Sequence, residues 1–266
     1  RALAGPGVHF APDPSSQIAC TIGGNVATNA GGPHTLKYGV TVNHVRGVEF
    51  VTPAGEVVQV GGTTEDAPGY DLTGLLVGGE GTLGIVTKVI VGLTRDPEAG
   101  RTLLAVFETV EQSVEAVSGI VAAGIVPAAL EMIDNLMIRA VEAAFKFGFP
   151  LDAGAVLIIE VDGVDAAMDP EAQAISEIVQ AHHGKVEKSI SWRTREEPEY
   201  KAIWKSRKMA FGAIGRVSPT FCTQDGVVPR TALPHILKFM EGVSARLGIR
   251  IANVFHAGDG NLHPII

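Results

Sequence analysis

The stretch "AVLIIEVDG", residues 155–163, decides the fold of the second half of this chain. Its continuous apolar run is typical of a buried β-strand. The residues that follow predict a helix with Asp169 as N-cap and Pro170 at the first helical position. The segment "KVEKSIS", residues 185–191, predicts a further strand, so these elements form one strand–helix–strand unit.

The same plan occurs once upstream. The segment "TLLAVFETV", residues 102–110, predicts a strand, and a helix with one apolar face and the apolar run "VPAALEMI", residues 126–133, follow it. An extra helix is predicted near residues 134–147. Two strand–helix–strand units in tandem predict an α+β sandwich of ferredoxin-like type.

The first part of the chain has a different texture. It is rich in glycine and in strand-like runs, among which residues 45–51 and 56–60 predict a hairpin around the turn at 52–55. Residues 84–93 predict another strand. The charged Pro/Gly stretch "TRDPEAGR", residues 94–101, reads as a linker, so we expect two domains, 1–95 and 96–266.

Composition excludes several classes of partner. Lys and Arg total 21 against 29 Asp and Glu, a net charge of −8, which argues against a nucleic-acid footprint and against a polybasic membrane surface. No run reaches the roughly 18 apolar residues of a membrane span. Cys20 and Cys222 form no CxxC pair, so we expect the cytoplasm. The chain starts at Arg1 and stops in an apolar run, and we expect a fragment truncated at both ends.

Two glycine-rich strings could hold a nucleotide. In "PDPSSQIACTIGGNVATNAGGPHTLKYG", residues 12–39, glycines let the backbone approach a ligand closely, and small hydroxyl and amide side chains offer donors to phosphate oxygens. It is neither a Walker loop nor a GxGxxG fingerprint. The second string, "GGEGTLGIVT", residues 78–87, contains one carboxylate, Glu80. The alternatives are a tightly packed turn region for the first string and a β-bulge and turn for the second.

The segment "HAGDGNLH", residues 256–263, places a histidine at each end of a glycine-containing stretch. A straight strand would hold the two imidazoles too far apart to share an ion, so the spacing demands a bend. Two neutral imidazoles could then bind a divalent metal weakly, with further ligands needed. Asp259 is the nearest carboxylate, although its position equally suits an Asx turn. The alternative is a pair of ordinary polar loop histidines.

Arg207, in "IWKSRKMA", residues 203–210, is the candidate for holding a substrate carboxylate. A guanidinium matches a carboxylate with two parallel hydrogen bonds, whereas a lysine supplies only a point charge. The alternative is that "KSRK" is a solvated helix face. Residues 219–228 predict an extended segment, and Asp225, on this segment and near Arg207, reads as a structural ion partner rather than a base.

Four segments together carry a family resemblance: the first glycine string, "GYDLTGLLVGGEGTLGIVT" (69–87), "WKSRK" (204–208) and "HAGDGNLHP" (256–264). The set resembles the FAD-linked 2-hydroxy acid dehydrogenases of the vanillyl-alcohol-oxidase flavoprotein superfamily, nearest to the FAD-binding subunits of glycolate oxidase and the FAD-linked D-lactate dehydrogenases. The resemblance covers essentially the whole chain. It implies part of a PCMH-type FAD-binding domain (1–95) followed by a ferredoxin-like cap domain, the FAD-linked oxidase C-terminal domain (96–266), incomplete at its C-terminus.

The resemblance also implies roles for individual residues. His256 and His263 would bind a divalent metal, zinc or manganese, Arg207 would contact the substrate, and Asn261 would point toward flavin or substrate. The FAD contacts implied in the first string are Pro12, Ser15, Ser16, Gly24, Asn25, Thr28, Asn29 and Gly31, and those at the adenosine end are Glu80, Gly81, Gly84, Ile85 and Val86.

The reaction implied is FAD-dependent oxidation of a small 2-hydroxy acid, glycolate or D-lactate, to the 2-oxo acid. Electrons would pass to partner subunits or a membrane carrier, so we expect a cytoplasmic protein, peripheral to the membrane through its partners, with a homodimer as a further expectation. Two alternatives from other classes are a non-catalytic FAD-binding assembly subunit and a metal-dependent hydrolase that uses the histidine loop alone.

Overall fold

The computed structural model describes residue 3 and residues 7–64, 69–216 and 218–266. The chain forms two compact units, Arg1–Asp96 and Pro97–Ile266. Most of the stretch that predicts a linker is strand instead. Its first residues pair with Val8–His9, and its last residues open the first strand of the second unit.

The first unit is built on a three-stranded antiparallel sheet with strand order β3-β2-β4, beside a two-stranded pair of β1 and β5. The predicted hairpin at residues 45–60 is confirmed. The small core contains Val26, Val48 and Leu76. The strands are β1 Val8–His9, β2 Val45–Val51, β3 Val57–Gly61, β4 Ile85–Val91 and β5 Thr94–Arg95, and the α-helices are α1 Ile22–Thr28, α2 Thr35–Tyr38 and α3 Leu72–Leu76.

The second unit is built on a seven-stranded sheet in which every neighbouring pair is antiparallel. Its strands are β6 Ala99–Phe107, β7 Ala129–Asp134, β8 Ala155–Gly163, β9 Lys185–Trp192, β10 Gly226–Val227, β11 Ala252–His256 and β12 Asn261–Ile265. The order β7-β8-β6-β9 is that of a ferredoxin-like fold, so this prediction is confirmed, and β11, β12 and β10 extend the sheet beyond β7.

Helices cover both faces of this sheet. The helices are α4 Val110–Ala122, α5 Asn135–Phe145, α6 Asp165–Ala181, α7 Pro198–Lys208, α8 Ala210–Ile214 and α9 Leu233–Leu247. Helices α4 and α6 pack together against β6 and β8. Side chains alternate along a strand, and Val156 and Ile158 of β8 join the core formed with α5, α7 and α8. This second face is the one that carries the candidate site.

Two local predictions were wrong. Helix α6 begins at Asp165 rather than beyond Asp169, so Pro170 lies inside it. Buried Met168 anchors the first turn, and the backbone N–H of Asp165 donates to the Glu98 carboxylate at 3.1 Å. These two contacts stabilise a helix that begins at Asp165. Residues 219–228, predicted as extended, form only the two-residue strand β10 and an isolated bridge at Thr223.

The helices of the described residues are at most 17 residues long. Within that part of the chain, none is long and apolar enough to cross a bilayer.

Candidate active site

A tight hairpin brings the two histidines of residues 256–263 together. Strand β11 ends at His256, a four-residue turn follows, and β12 begins at Asn261. In the register of the pair, His256 lies opposite Asn261 and Val254 lies opposite His263. Residues opposite one another share a face, so both imidazoles stand on the same side of the sheet. Their ring centroids are 5.0 Å apart and edge to face, as the predicted bend requires.

The turn itself is closely held. The Asp259 carboxylate accepts the Asn261 N–H at 3.2 Å, which forms the Asx turn. Gly260 has φ +78°, and a Cβ there would lie 2.1 Å from the Val228 carbonyl oxygen. Arg230 donates to the Gly258 carbonyl at 3.0 Å. The segment around β10 therefore fixes the hairpin from outside.

Glu131 lies at the centre of the site and is fully buried. It stands on β7, which pairs with β11 so that Glu131 lies opposite His256. One carboxylate oxygen, Oε1, lies 2.6 Å from His256 Nδ1, and the other, Oε2, accepts from Arg207 Nε at 2.6 Å. A single carboxylate thus joins the histidine hairpin to helix α7.

Arg207 is nearly completely buried, with 1% of its side chain exposed. Its terminal nitrogens Nη1 and Nη2 have no hydrogen-bond partner among the described residues. Its guanidinium carbon lies 5.9 Å from the Phe211 ring centroid, and that ring is 6.0 Å from the His263 ring. Buried donors without partners are rare in folded proteins, so these two nitrogens are a strong indication of an anion site.

The charges of the cluster are strongly coupled. Burial alone would raise the pKa of Glu131, but the charges of Arg207 and His256 and the hydrogen bonds from them outweigh it and lower that pKa. Burial opposes the charged form of His256, yet the Glu131 carboxylate raises the pKa of this imidazole. For His263, burial together with the charges of His256 and Arg207 lowers the pKa to about 4, so its imidazole is neutral at neutral pH.

Asp225, predicted as a structural partner near Arg207, contacts His263 instead. Asp225 lies 3.3 Å from His263 Nδ1 and its side chain is mostly exposed, whereas Arg207 pairs with Glu131. None of the sequence motifs that carry the family resemblance contains Glu131. The available signal is an acid inside the apolar run "AALEMI", residues 128–133, because a carboxylate on a strand that buries both faces requires a charged or hydrogen-bonded partner.

Metal ligands form no complete set in the described part of the chain. Among residues 7–64, 69–216 and 218–266, no group of three His, Cys, Asp or Glu side chains comes together in a way that could hold an ion. His256 and His263 lie next to each other but supply only two candidate ligands. The His256 Nδ1 contact with a carboxylate resembles the outer contact that orients histidine ligands in metal sites, so the pair fits a metal only with ligands from elsewhere.

The first unit brings the two glycine strings side by side. The N–H groups of Gly78 and Glu80 donate to the carbonyls of Val26 and Ala27 at the end of α1, at 2.8 and 2.9 Å. The Thr21 hydroxyl caps α1 by accepting from Gly24 N–H at 2.9 Å. Asn29 ends the helix in the left-handed region with φ 49°. The segments with predicted FAD contacts therefore adjoin one another.

Several of the predicted contact positions at this junction are open to solvent. Gly23 has no positive φ, and a Cβ there would meet nothing within 4 Å, so packing within the described residues does not explain this glycine. Gly24, Thr28, Glu80, Gly81 and Ile85 are exposed. By contrast Pro12 and Asn25 are buried, and the Asn29 side chain accepts from the Val42 N–H at 2.9 Å. The remaining predicted contacts, partly buried or exposed, are Ser15, Ser16, Gly31, Gly84 and Val86.

Comparison with family models gives two matches. Residues 96–266 match the model of the FAD-linked oxidases, C-terminal domain, and residues 1–61 match a model described as an FAD binding domain. The first match alone covers well over half of the chain.

Curated relatives match over nearly the whole chain. The glycolate oxidase subunit GlcD of Escherichia coli strain K12 is 46% identical over 266 residues, covering 100% of this chain and 52% of that protein. GlcD of Bacillus subtilis strain 168 is 41% identical, covering 99% and 56%. A D-lactate dehydrogenase of Anaerostipes hadrus is 32% identical, covering 97% and 55%. The chain spans about half the length of these relatives.

A solved structure supports the fold. The chain superposes on alkyldihydroxyacetonephosphate synthase with a TM-score of 0.77 over 97% of this chain and 52% of that one, at 19% sequence identity.

Proposed function

Because this chain belongs to the family of FAD-linked oxidases, we propose that its protein oxidises a small 2-hydroxy acid, glycolate or D-lactate, to the 2-oxo acid with FAD as cofactor. The relatives named as glycolate oxidase subunits and D-lactate dehydrogenase support this choice of substrate. The observation that carries it is the pair of buried, unpartnered Arg207 nitrogens, counted over the described residues.

Arg207 binds the carboxylate in this proposal. Nη1 and Nη2 are the two donors that a carboxylate accepts side by side, and their burial strengthens the interaction because water does not compete for them. The Nε–H is already occupied by Glu131. The guanidinium is therefore held at one edge and open at the other.

His256, His263 and Asn261 surround the hydroxyl group of the substrate in this proposal. Their side chains share one face of the β11–β12 hairpin. His263 is neutral and can accept a hydrogen bond, and Asn261 Oδ1 is buried without a partner among the described residues. Asn261 and the imidazoles hold the hydroxyl group; its proton would pass to an imidazole lone pair that binds no metal, or otherwise to water, and bound FAD would supply the acceptor for the hydride that leaves the substrate Cα.

We further propose a divalent cation, zinc or manganese, with His256 and His263 as two of its ligands. The neutral His263 and the carboxylate on His256 Nδ1 support it. When bound, such an ion would stabilise negative charge on the substrate oxygen. Substrate, water or the portion of the relatives' length that this chain does not span would complete the ligand set.

We propose that residues of the first unit bind FAD. We place the phosphates and the flavin along the first glycine string and the adenosine end at residues 80–86, supported by their adjacency and by the open position at Gly23. Partner subunits as electron acceptors are supported by the names of the glycolate oxidase relatives. The homodimer and the cytoplasmic, membrane-peripheral location stay predictions.

The test is a visible spectrum of the full-length protein under anaerobic conditions. We expect a flavin spectrum that bleaches on addition of glycolate or D-lactate and does not bleach with glycolamide, which lacks the carboxylate. A flavin that glycolamide reduces equally well contradicts the role of Arg207. A folded full-length protein without flavin contradicts the proposal as a whole.

A further inference from the structure

We infer that Glu131 is the positioning residue of this site, one carboxylate oxygen orienting His256 through Nδ1 and the other orienting Arg207 through Nε. The inference rests on the function proposed above. It goes beyond it, because Glu131 belongs to none of the motifs that carry the family resemblance and touches neither the proposed substrate nor the proposed cofactor.

The geometry leaves one assignment of hydrogens. Arg207 has donors only, so the Glu131 oxygen that it contacts is an acceptor. A carboxylate paired with a buried guanidinium is ionised and accepts at its second oxygen as well. His256 must therefore carry its proton on Nδ1, 2.6 Å away, and its Nε2 bears the lone pair whenever the ring is neutral.

The same carboxylate sets the direction of Arg207. The Nε–H bond to Oε2 fixes the plane of the guanidinium, and the Phe211 ring lies 5.9 Å from its central carbon. The edge formed by the two terminal nitrogens, which have no partner among the described residues, is then left for the carboxylate that we assign to the substrate. Because both contacts originate from one residue on β7, a movement of Glu131 displaces the histidine and the arginine together.

A purely structural role predicts something different. Glu131 stands on a strand whose residues are all buried, and it could serve only to neutralise Arg207. In that case its effect on catalysis would not depend on His256. Positioning through His256 predicts that a substitution of Glu131 which keeps an oxygen on Arg207 has no further effect once His256 has been changed.

The decisive variant is Glu131→Gln in the full-length protein. A glutamine has the same shape but only one acceptor oxygen, and Arg207 cannot give up its donor. The oxygen therefore turns to Arg207, the amide NH₂ faces His256, and the ring must move its proton to Nε2. We expect flavin reduction by the 2-hydroxy acid to slow by about 10–100-fold, the range typical of lost outer contacts to functional histidines.

Glu160→Gln is the matched control. Glu160 is also a fully buried carboxylate on the same face of the sheet, but it accepts from Trp204 and lies near Arg195 rather than near the histidine hairpin. We expect its reduction rate to stay close to that of wild type. The double variant E131Q/H256Q should be no slower than H256Q alone. The inference is overturned if the double variant is slower than H256Q by the same factor that E131Q alone loses, or if E131Q reduces its flavin at the wild-type rate.

A second readout does not require turnover. Nitrogen-15 NMR of the histidine rings, with His256 assigned by its absence in H256Q, reports which nitrogen is protonated. We expect a protonated Nδ1 in wild type and a proton on Nε2 in E131Q, and an unchanged ring in E131Q overturns the inference. If no 2-hydroxy acid reduces the flavin, the proposed function fails, while this measurement still decides the role of Glu131.

Should E131Q not fold, Glu131→Asp carries the same test. It keeps the charge but withdraws it by one methylene, about 1.5 Å, so that it reaches only one of its two partners. Slower flavin reduction in a folded E131D supports the inference, and a wild-type rate overturns it.

Discussion

Glu131 and Arg207 form an ion pair in which Oε2 lies 2.6 Å from Nε and neither side chain is more than 1% exposed. Burial removes the hydration of both charges, and the attraction between them typically does little more than offset that cost. The pair is therefore poorly explained as a source of stability. It is well explained as a way to keep a charged guanidinium oriented inside the domain.

The pair leads to a prediction for stability. Glu131→Leu leaves a buried charge without its partner, and we expect it to lower the free energy of unfolding by about 3–5 kcal/mol. Adding Arg207→Met removes the stranded charge, so the double variant should recover part of the loss. Chemical denaturation of the three proteins measures this. Strictly additive losses would show that the two residues do not interact.

Gly260 predicts a second effect, on the histidine hairpin. Its φ of +78° suits glycine, and an alanine Cβ would lie 2.1 Å from the Val228 carbonyl oxygen. We expect Gly260→Ala to lower the free energy of unfolding by about 1–3 kcal/mol through backbone strain and to slow flavin reduction as His256 and His263 move. The control is Gly226→Ala, where a Cβ would meet nothing within 4 Å. Equal behaviour of the two variants would contradict the strain.

Asp134 predicts a pH dependence. Its carboxylate caps α5 by accepting the Met137 N–H at 2.9 Å and accepts from Asn253 N and Nδ2 at 2.7 and 2.9 Å. Burial, only partly offset by these bonds, raises the pKa of Asp134 from 3.8 to about 6. The folded state thus holds this proton more tightly than the unfolded state. The stabilisation is complete below a pH of about 4 and is lost as pH rises through about 6.

The size of this effect is about 3 kcal/mol, from the difference between the folded and ordinary pKa values. Asp134→Asn has no titrating group, so the wild type should lose that much stability relative to the variant between pH 4 and pH 7. Denaturation midpoints across this range provide the measurement. Parallel profiles for the two proteins would show that Asp134 keeps its ordinary pKa.

Local sequence patterns predicted much of the architecture. Strand β8 runs over residues 155–163 as expected, and the tandem strand–helix–strand units form the ferredoxin-like sheet. These features depend on apolar periodicity within short windows. The predicted start of α6 was wrong, because burial of Met168 and the Glu98 contact outweigh the preference of proline for the first turn of a helix.

The sequence predicted the histidine bend of the candidate site but not Glu131. Glycines in residues 256–263 predicted the bend that brings the two histidines together, because the bend and both histidines lie within the same eight-residue segment. Glu131 lies 76 positions from Arg207 and 125 from His256, and nothing local marks a contact over such separations. Only the topology, which places β7 beside β11 and the end of α7 within reach of Glu131, brings the three residues together.

The most direct test of the account compares Arg207→Lys with Lys205→Gln in full-length protein, by anaerobic reduction of the flavin with glycolate or D-lactate. Lys205 is an exposed cation on the same helix and should be dispensable. Lysine at position 207 keeps the charge but loses the pair of parallel donors, so we expect the second-order rate constant of flavin reduction to fall by roughly 100-fold. A fall of this size lies within the roughly 2–5 kcal/mol typical of a broken buried charge contact. An Arg207→Lys protein that oxidises the acid as fast as wild type would contradict the carboxylate site.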